Sequence, residues 1–405
     1  MLMDKALFIF LLTYIVIAIG QPPLIRIDRA GAALIGASLM IVTNVLDIEA
    51  AYRAIDYRTI VLLFSLMIVV ANLRLSGFFP LASNFFIRHI SSPSVLLYAI
   101  VFLSGMLSAL FINDTICIAF TLLILGITLR LGLNPVPYLL ALCMAANIGS
   151  VATITGNPQN IMIGSFSGIG YARFTAKLLP VALIGLVICA VMIRVAYRSA
   201  FASARLQPSA MHYRIHRPLL IKSSAVSGLM LLLFFAGVPM TTVAIGAASY
   251  LLITRRVKPD KVYASVDWRL LVLFVGLFIV VEGVERSGLA MATLDAIGRK
   301  TAGHPMFLVT VSAVLSNLVS NVPAVLLLKP VIASMPDRET AWLLLAMSST
   351  LAGNLTILGS IANIIVVEGA RPRVQIGFAE YLKVGIPLTI ATIIAGALWL
   401  TAVSY

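Results

Sequence analysis

Two distant stretches of this chain repeat each other over 22 residues without a gap. Residues 56–77 and residues 267–288 both open on Asp, an aromatic residue and Arg, and both close on Ser-Gly, at an offset of 211 residues. Two further matches follow in the same order, residues 108–113 on residues 316–321 and residues 153–156 on residues 356–359. This pattern predicts a duplicated unit, which in membranes is typical of alternating-access transporters.

The composition requires lipid as the solvent for most of the chain. Of 405 residues, 61% are hydrophobic and 11% are charged, so a soluble globular domain is excluded. Residues 6–20 form the first predicted span, because no basic segment precedes them and Gln21-Pro22-Pro23 follow in place of a cleavage site. The net charge of +14 lies in loops without interleaved aromatic residues, so it indicates topology and not nucleic-acid binding.

Loop charge sets the predicted topology. The loop 194–222 is basic and carries no acid, so it is expected in the cytoplasm. Residues 305–328 are uncharged but interrupted by Ser320-Asn321-Val322-Pro323, and they are too short for two crossings. A kinked span and a re-entrant hairpin both remain open. The hairpin is favoured because it keeps the basic loop after residue 370 inside, and residues 93–129 are its match in the first repeat.

The predicted fold class is therefore an all-α polytopic membrane protein with two inverted repeats. Each repeat has five crossings, which together give about ten transmembrane helices plus two re-entrant hairpins and two broken helices. The first repeat is residues 1–200, with a hairpin tip near 113 and a broken helix near 156. A cytoplasmic linker, residues 201–216, leads to the second repeat at 217–405, with a tip near 321 and a broken helix near 359.

Four breaks in the apolar helices are the predicted binding site. Irregular backbone at membrane depth is tolerated only inside protein or beside a watery cavity, and half-helix ends there attract ions. Isolated kinks would be commonplace, but four Asn-rich breaks at matched positions favour function. The candidate substrate-binding residues are Asn113, Asp114, Thr155, Gly156, Asn157, Asn160, Ser320, Asn321, Gly359, Ser360 and Asn363.

Two acids are candidates for ion coupling. Asp114 lies at a hairpin tip, and Glu282 lies late in an apolar run; an ionisable group at membrane depth is a functional candidate. A Na⁺ site is predicted near Asn113, Asn160, Asn321 and Asn363, and Na⁺ is the single cofactor considered. The sequence has no phosphate-binding loop and no His/Cys cluster, which predicts neither an ATP-driven pump nor an enzyme.

The stretch from Asn113-Asp114 to Gly156-Asn157-Pro-Gln-Asn160 resembles the ion-transporter superfamily. Its members include arsenite permeases, citrate transporters, divalent anion/sodium symporters and certain Na⁺/H⁺ antiporters, and residues 316–325 are similar to their second hairpin. The resemblance implies a dimerising scaffold and a mobile transport domain. Ile112 and Val322 replace hydroxyl residues of the anion/sodium symporters, which disfavours a dicarboxylate or sulfate substrate. The Asn-Asp tip is similar to the arsenite permease branch.

These observations predict a secondary active transporter for a small anion or oxyacid, which includes arsenite-like species, inorganic anions and carboxylates. Coupling to H⁺ or Na⁺ and an elevator-type alternating-access mechanism are expected. The alternative is a Na⁺/H⁺ antiporter with Asp114 as carrier; a passive channel is a third class. The expected location is the bacterial inner (plasma) membrane, as a multi-pass homodimer in the lipid bilayer that binds no nucleic acid.

Overall fold

The computed structural model describes residues 2–19, 27–87, 91–201, 215–254, 257–288, 304–371 and 373–403. Regular structure in these ranges is helical throughout, which confirms the all-α fold class. Seven helices are long and apolar enough to cross a membrane, and several shorter apolar helices accompany them. Helices are the expected solution in lipid, because each backbone N–H and C=O finds its partner within the same segment.

The order of helices in the first half of the chain recurs in the second half. The first half contains Leu2–Ile19, Arg29–Val42, Ile48–Ala54, Tyr57–Ser76, Phe78–Ile87, Pro93–Leu110, Asn113–Arg130, Val136–Ser150, Pro158–Ser167 and Tyr171–Ala196. The second half contains Arg217–Phe235, Met240–Leu252, Pro259–Tyr263, Trp268–Arg286, Pro305–Val319, Asn321–Ala333, Arg338–Ala352, Ile361–Ala370 and Phe378–Val403. Most of the predicted linker 201–216 lies outside the described residues, so the domain boundaries stay a prediction.

Helix pairs occupy both predicted hairpin positions. The first hairpin is Pro93–Leu110 with Asn113–Arg130, and the second is Pro305–Val319 with Asn321–Ala333. The second hairpin extends beyond the uncharged window that ended at residue 328. Its second helix includes Lys329, whose ammonium lies 4.8 Å from the centre of the Phe166 ring in a cation–π contact.

Both predicted broken spans consist of two half-helices. The first broken span is Val136–Ser150 followed by Pro158–Ser167, and the second is Arg338–Ala352 followed by Ile361–Ala370. One turn of 3₁₀ helix lies inside each break, at residues 154–156 and 357–359. The second half-helices begin on side-chain caps, since the Asn157 side chain accepts from the Asn160 N–H and Ser360 accepts from the Ala362 N–H.

The helices pack as two groups. The hairpins, the broken spans, Tyr171–Ala196 and Phe378–Val403 pack on one another, and they are called here the site bundle. The frame bundle is the first, second and fourth helix of each half, which are Leu2–Ile19, Arg29–Val42, Tyr57–Ser76, Arg217–Phe235, Met240–Leu252 and Trp268–Arg286. Large apolar side chains such as Ile221 and Leu232 are exposed on the frame bundle, as lipid contact requires.

Packing within the frame bundle is reciprocal between the halves. Arg29–Val42 packs against Trp268–Arg286, and its counterpart Met240–Leu252 packs against Tyr57–Ser76. The first contact is backbone to backbone, because a Cβ on Gly276 would lie 2.6 Å from the carbonyl carbon of Ala33. Such an exchange of partners is what a two-fold axis between the halves produces, so it supports the predicted repeat, while the inversion stays a prediction.

An inverted repeat predicts opposite accessibility for Gly170 and Gly377. Each glycine immediately precedes the last helix of its half, each is exposed, and a Cβ at either position meets no atom within 4 Å. Gly170→Cys and Gly377→Cys are expected to react with an impermeant maleimide from opposite sides of the membrane. Exposed Ser199→Cys serves as the cytoplasmic reference and is expected to match Gly377→Cys. Labelling of both glycine variants from one side would contradict the inversion.

Candidate functional site

All four breaks meet at one small cavity. Its volume is about 40 Å³, and it lies between the two hairpin tips and the starts of the two second half-helices. The site bundle contributes Asn113, Asp114, Pro158, Gln159, Ser320, Asn321, Val322, Pro323, Ser360 and Ile361. The frame bundle closes the other side with Ile17, Arg29, Leu270 and Leu273. The cavity is thus built from both halves of the chain and from both bundles.

Asn147 is the centre of the hydrogen-bond network behind this cavity. The side chain is buried in the first broken span, and its Oδ1 accepts from Asn113 Nδ2 at 2.9 Å and from Ser360 Oγ at 3.0 Å. Its Nδ2 donates to Asn354 Oδ1 at 2.8 Å and to Asn363 Oδ1 at 3.0 Å. One amide therefore joins the first hairpin tip and both broken spans.

Backbone carbonyls fix the orientation of every amide in this network. Asn363 Nδ2 donates to the carbonyls of Gly353 and Thr356, so its Oδ1 is left to accept from Asn147. Asn147 must then accept through its own Oδ1, and Asn113 must donate through Nδ2. Asn113 Oδ1 consequently remains without a donor among the described residues, in a side chain that is 4% exposed and lines the cavity.

The first break is stabilised by the equivalent bonds. Asn160 Nδ2 donates to the carbonyls of Ser150 and Thr153, as Asn363 does in the second break. Asn157 Nδ2 crosses to Thr350 Oγ1 at 3.2 Å on the second broken span. Ser360 makes the reverse crossing to Asn147, so each break is tied to the opposite broken span.

The predicted site residues divide into two groups. Five of the eleven line the cavity, namely Asn113, Asp114, Ser320, Asn321 and Ser360. The other six lie behind it and shape the breaks, namely Thr155, Gly156, Asn157, Asn160, Gly359 and Asn363. Of the four asparagines of the predicted Na⁺ site, Asn113 and Asn321 line the cavity, whereas Asn160 and Asn363 lie behind it, where their amide nitrogens donate to backbone carbonyls. Direct binding of substrate by any of these residues stays a prediction.

The two candidate coupling acids have different surroundings. Asp114 lines the cavity in the first turn of its helix, where the helix dipole favours a negative charge. No hydrogen bond or ion pair to another described residue engages it. Glu282 is absent from the cavity lining, and its carboxylate instead binds Arg286 Nε at 2.7 Å, one turn along the same helix. The geometry therefore favours Asp114 over Glu282 for ion coupling.

Sequence reasoning missed four residues that define the site. Asn147 is a buried amide within an apolar half-helix and Asn354 is one in the second break, and a search for isolated amides in uncharged runs would have found them. Gln159 donates to Thr350 and lines the cavity. Arg29 adds a cation to the cavity wall, which no motif indicated.

The backbone at the second hairpin tip is strained. Ser320 has φ +77° and ψ 158°, a region that is occupied almost solely by glycine. A residue held there costs about 1–3 kcal/mol and persists where the surroundings or a function require it. Ser320 lines the cavity, so the strain is placed at the candidate site.

Replacing Asn147 with Asp tests the network. The carboxylate keeps the shape but loses the donor, which leaves the Oδ1 atoms of Asn354 and Asn363 facing a negative oxygen. Each unpaired buried group costs about 1–3 kcal/mol, so we expect a lower melting temperature and lost transport. Asn134→Asp is the control, since exposed Asn134 is needed only as an acceptor for the Val136 N–H. Equal melting temperatures for the two variants would contradict the account.

Ser320→Gly tests whether the backbone at Ser320 is strained, and Ser320→Ala is the matched control. Both remove the hydroxyl, but only glycine relaxes the backbone at φ +77°. The glycine variant is expected to melt at a higher temperature than the alanine variant, while uptake falls below wild type in both if the hydroxyl contacts substrate. A glycine variant no more stable than the alanine variant would show that the tip is unstrained.

Comparisons with known proteins agree with this architecture. A 46 kDa membrane protein of Mycobacterium leprae is 30% identical over 98% of this chain and 97% of its own length. The silicon efflux transporter LSI3 of Oryza sativa subsp. japonica is 31% identical, covering 92% of each chain. A putative transporter arsB of Dictyostelium discoideum is 24% identical over 91% of this chain and 86% of its own.

A solved structure shows the same fold. The YdaH transporter of Alcanivorax borkumensis, reported to have an unusual topology, aligns with a TM-score of 0.64 over 99% of this chain and 97% of its own, at 13% identity. The family model described as citrate transporter matches residues 12–352. This multi-pass membrane protein is therefore a transporter that belongs to the citrate transporter family, within the ion-transporter superfamily that also includes the arsB-type proteins.

Proposed function

We propose that this protein is a secondary active transporter that moves a small anion or oxyacid across the plasma membrane, coupled to H⁺ or Na⁺. The observation that carries the proposal is the single cavity at which two hairpin tips and two broken spans meet. Discontinuous helices from two repeats are where transporters of this kind bind substrates and coupling ions. Mycobacterial relatives support a bacterial inner membrane as the location.

The cavity favours a compact substrate that carries hydroxyl groups. One water needs about 10–15 Å³ of such volume, so the 40 Å³ cavity holds roughly three waters and fits a compact ligand. Asn113 Oδ1 and Asn321 Oδ1 are buried acceptors without a donor among the described residues. Hydroxyls of a protonated oxyacid satisfy such acceptors, whereas a fully ionised dianion does not. The relatives named for silicon efflux and arsB fit this substrate class.

Ion coupling is assigned to the first hairpin tip. Asp114 can carry a proton, and its carboxylate with the Asn113 and Asn321 oxygens can also coordinate Na⁺, because hard cations prefer oxygen ligands. The second candidate function is Na⁺/H⁺ antiport with Asp114 as carrier. It is favoured by the same carboxylate, which lies in the cavity without a paired cation among the described residues.

An elevator-type movement is the proposed mechanism. The cavity lies at the boundary between the two bundles, with the hairpin tips on one side and Ile17, Leu270 and Leu273 on the other. Movement of the site bundle along the frame bundle would carry all four breaks together. Asn147 joins the first hairpin tip to both broken spans, and Asn317 Nδ2 joins the second hairpin to the Ala352 carbonyl of the second broken span. The apolar exterior of the frame bundle is the surface on which we place a homodimer contact.

Asp114→Asn separates coupling from binding. The amide keeps the shape but cannot exchange a proton, so gradient-driven accumulation is expected to be lost while counterflow exchange continues. Both are measured in the same proteoliposomes with arsenous acid, orthosilicic acid, phosphate and citrate as probes, with and without Na⁺. Glu282→Gln is the matched control and is expected to accumulate like wild type, because Glu282 is held by Arg286.

The outcomes distinguish the candidate functions. Uphill accumulation by Asp114→Asn that equals wild type at every pH would show that Asp114 is structural. Wild type that exchanges Na⁺ for H⁺ with no oxyacid present, and transports none of the four probes, would establish the antiporter instead. Flux that does not saturate with probe concentration would indicate a channel.

A further inference from the structure

Arg29 is the cationic residue in the cavity wall. It is the first residue of the frame helix Arg29–Val42, and it lines the 40 Å³ cavity together with both hairpin tips. It also lines a second cavity of about 450 Å³, which shares Leu270, Leu273 and Ile361 with the first. Arg269 lines this larger cavity with its side chain 84% exposed, so the larger cavity reaches the protein surface. Arg29 therefore lies where an entering solute passes from the larger cavity to the smaller one.

Asp28 and Asp267 are engaged elsewhere, whereas Asp114 lines the same small cavity as Arg29 without forming an ion pair with it. Asp28 caps its helix by accepting from the Gly31 N–H at 2.8 Å, and its other oxygen lies 3.8 Å from Arg269 Nε. Asp267 accepts from the Leu270 N–H at 3.1 Å as the cap of its own helix. Among the described residues, no carboxylate lies within ion-pair distance of Arg29. Its guanidinium donors therefore remain for a ligand in the cavity.

The second half of the chain has no cation at the equivalent position. The offset of 211 residues that aligns Asp56 with Asp267 also aligns Arg29 with Met240, and both are the first residue of their helix. The alignment is structural as well, because buried positions coincide along the two helices, which are Ala33 with Ala244, Ala37 with Ala248 and Met40 with Leu251. The two halves thus carry chemically different side chains at the start of this helix, although the buried positions along it correspond.

We propose that Arg29 is a specificity-determining residue that binds an oxygen of the substrate when the cavity opens toward Arg269. This inference rests on the proposed transport function and adds that the affinity for substrate differs between the two sides of the membrane. In the opposite opening, the residue related to Arg29 by the repeat is a methionine, which offers no donor. The substrate is therefore held more tightly from the Arg29 side, which the loop charges predict to be cytoplasmic.

Complementary chemistry supports an oxyacid as the ligand. The guanidinium donates hydrogen bonds and cannot accept them, while the unpaired Asn113 Oδ1 and Asn321 Oδ1 accept and cannot donate. A molecule that bears hydroxyl groups on a central atom satisfies both kinds of partner at once. A Na⁺ ion satisfies the amide oxygens and the Asp114 carboxylate but leaves the Arg29 donors unpaired, so the oxyacid is the ligand that uses Arg29.

Arg29→Met tests the proposal, because it places at position 29 the residue type found at the equivalent position 240 in the second half. Half-saturation concentrations for arsenous acid, orthosilicic acid and phosphate are measured from each side, in proteoliposomes whose orientation is determined by labelling Ser199→Cys with an impermeant maleimide. Loss of a charged hydrogen bond is expected to raise the half-saturation concentration about tenfold or more when the probe is added from the Arg29 side. The half-saturation concentration from the opposite side of the membrane is expected to change less than about twofold. Arg29→Lys is expected to fall between wild type and Arg29→Met.

Two controls make the result specific. Arg53→Met removes an exposed cation that lines neither cavity and is expected to leave both half-saturation values within about twofold of wild type. The Arg29→Met effect is also measured in exchange mode in the Asp114→Asn background, where it is expected to persist. If Arg29→Met has no effect in the Asp114→Asn background, Arg29 acts through Asp114 and does not bind the substrate.

The remaining outcomes separate this proposal from the function it rests on. Wild type that transports at least one probe, with Arg29→Met raising both half-saturation values equally or neither, would overturn the role of Arg29 and leave the transporter intact. Wild type that transports none of the probes from either side would overturn both.

Discussion

The side-chain amide of Asn147 is the interaction on which the candidate site depends. Without it, the first hairpin tip and the second broken span would have no shared hydrogen-bond partner. Its hydrogen bonds also fix which side of each neighbouring amide donates and which side accepts. Carbonyls freed by the second break orient Asn363, which orients Asn147, which orients Asn113. The acceptor that Asn113 offers to the cavity is thus determined by a backbone turn on the other half of the chain.

Such a network suits a site that must move without changing shape. Buried polar groups are costly unless each finds a partner, so a fully connected set of amides resists rearrangement. Three amides of the site keep an unpaired oxygen, namely Asn113, Asn160 and Asn321, and those of Asn113 and Asn321 lie at the cavity, where a ligand can satisfy them. The strained backbone of Ser320 lies at the same place. Connected amides behind the cavity and unsatisfied groups at its surface are the arrangement expected of a preformed binding site.

The two halves of the chain correspond closely, so the positions where their side chains differ indicate where the two openings of the transporter differ. Asn157 and Ser360 make matching crossings to the opposite broken span, yet their targets differ, since Thr350 stands where the other half has Asn147. Arg29 and Met240 differ in the same way. A transporter with two equivalent openings would have no reason for these departures, whereas one that binds and releases its substrate under different conditions gains from them.

The sequence predicted the arrangement of helices and breaks better than the roles of individual side chains at the site. Matched runs of Gly, Asn and Pro predicted the hairpins and broken spans, because a break at membrane depth needs those residue types. The same pattern could not separate Asn113, which lines the cavity, from Asn160, which bonds the turn behind it. That distinction depends on side-chain direction after packing. Arg29 escaped notice because its proximity to the hairpin tips is a tertiary contact between helices far apart in the chain.

An electron cryo-microscopy structure of the protein in lipid with its transported oxyacid bound would test the central claim most directly. The account predicts ligand density between Asn113 and Asn321, within hydrogen-bond distance of their Oδ1 atoms, and an unchanged amide chain from Asn363 through Asn147. Density in the 570 Å³ pocket beside Lys329 and Trp342, with the space between the tips empty, would contradict it.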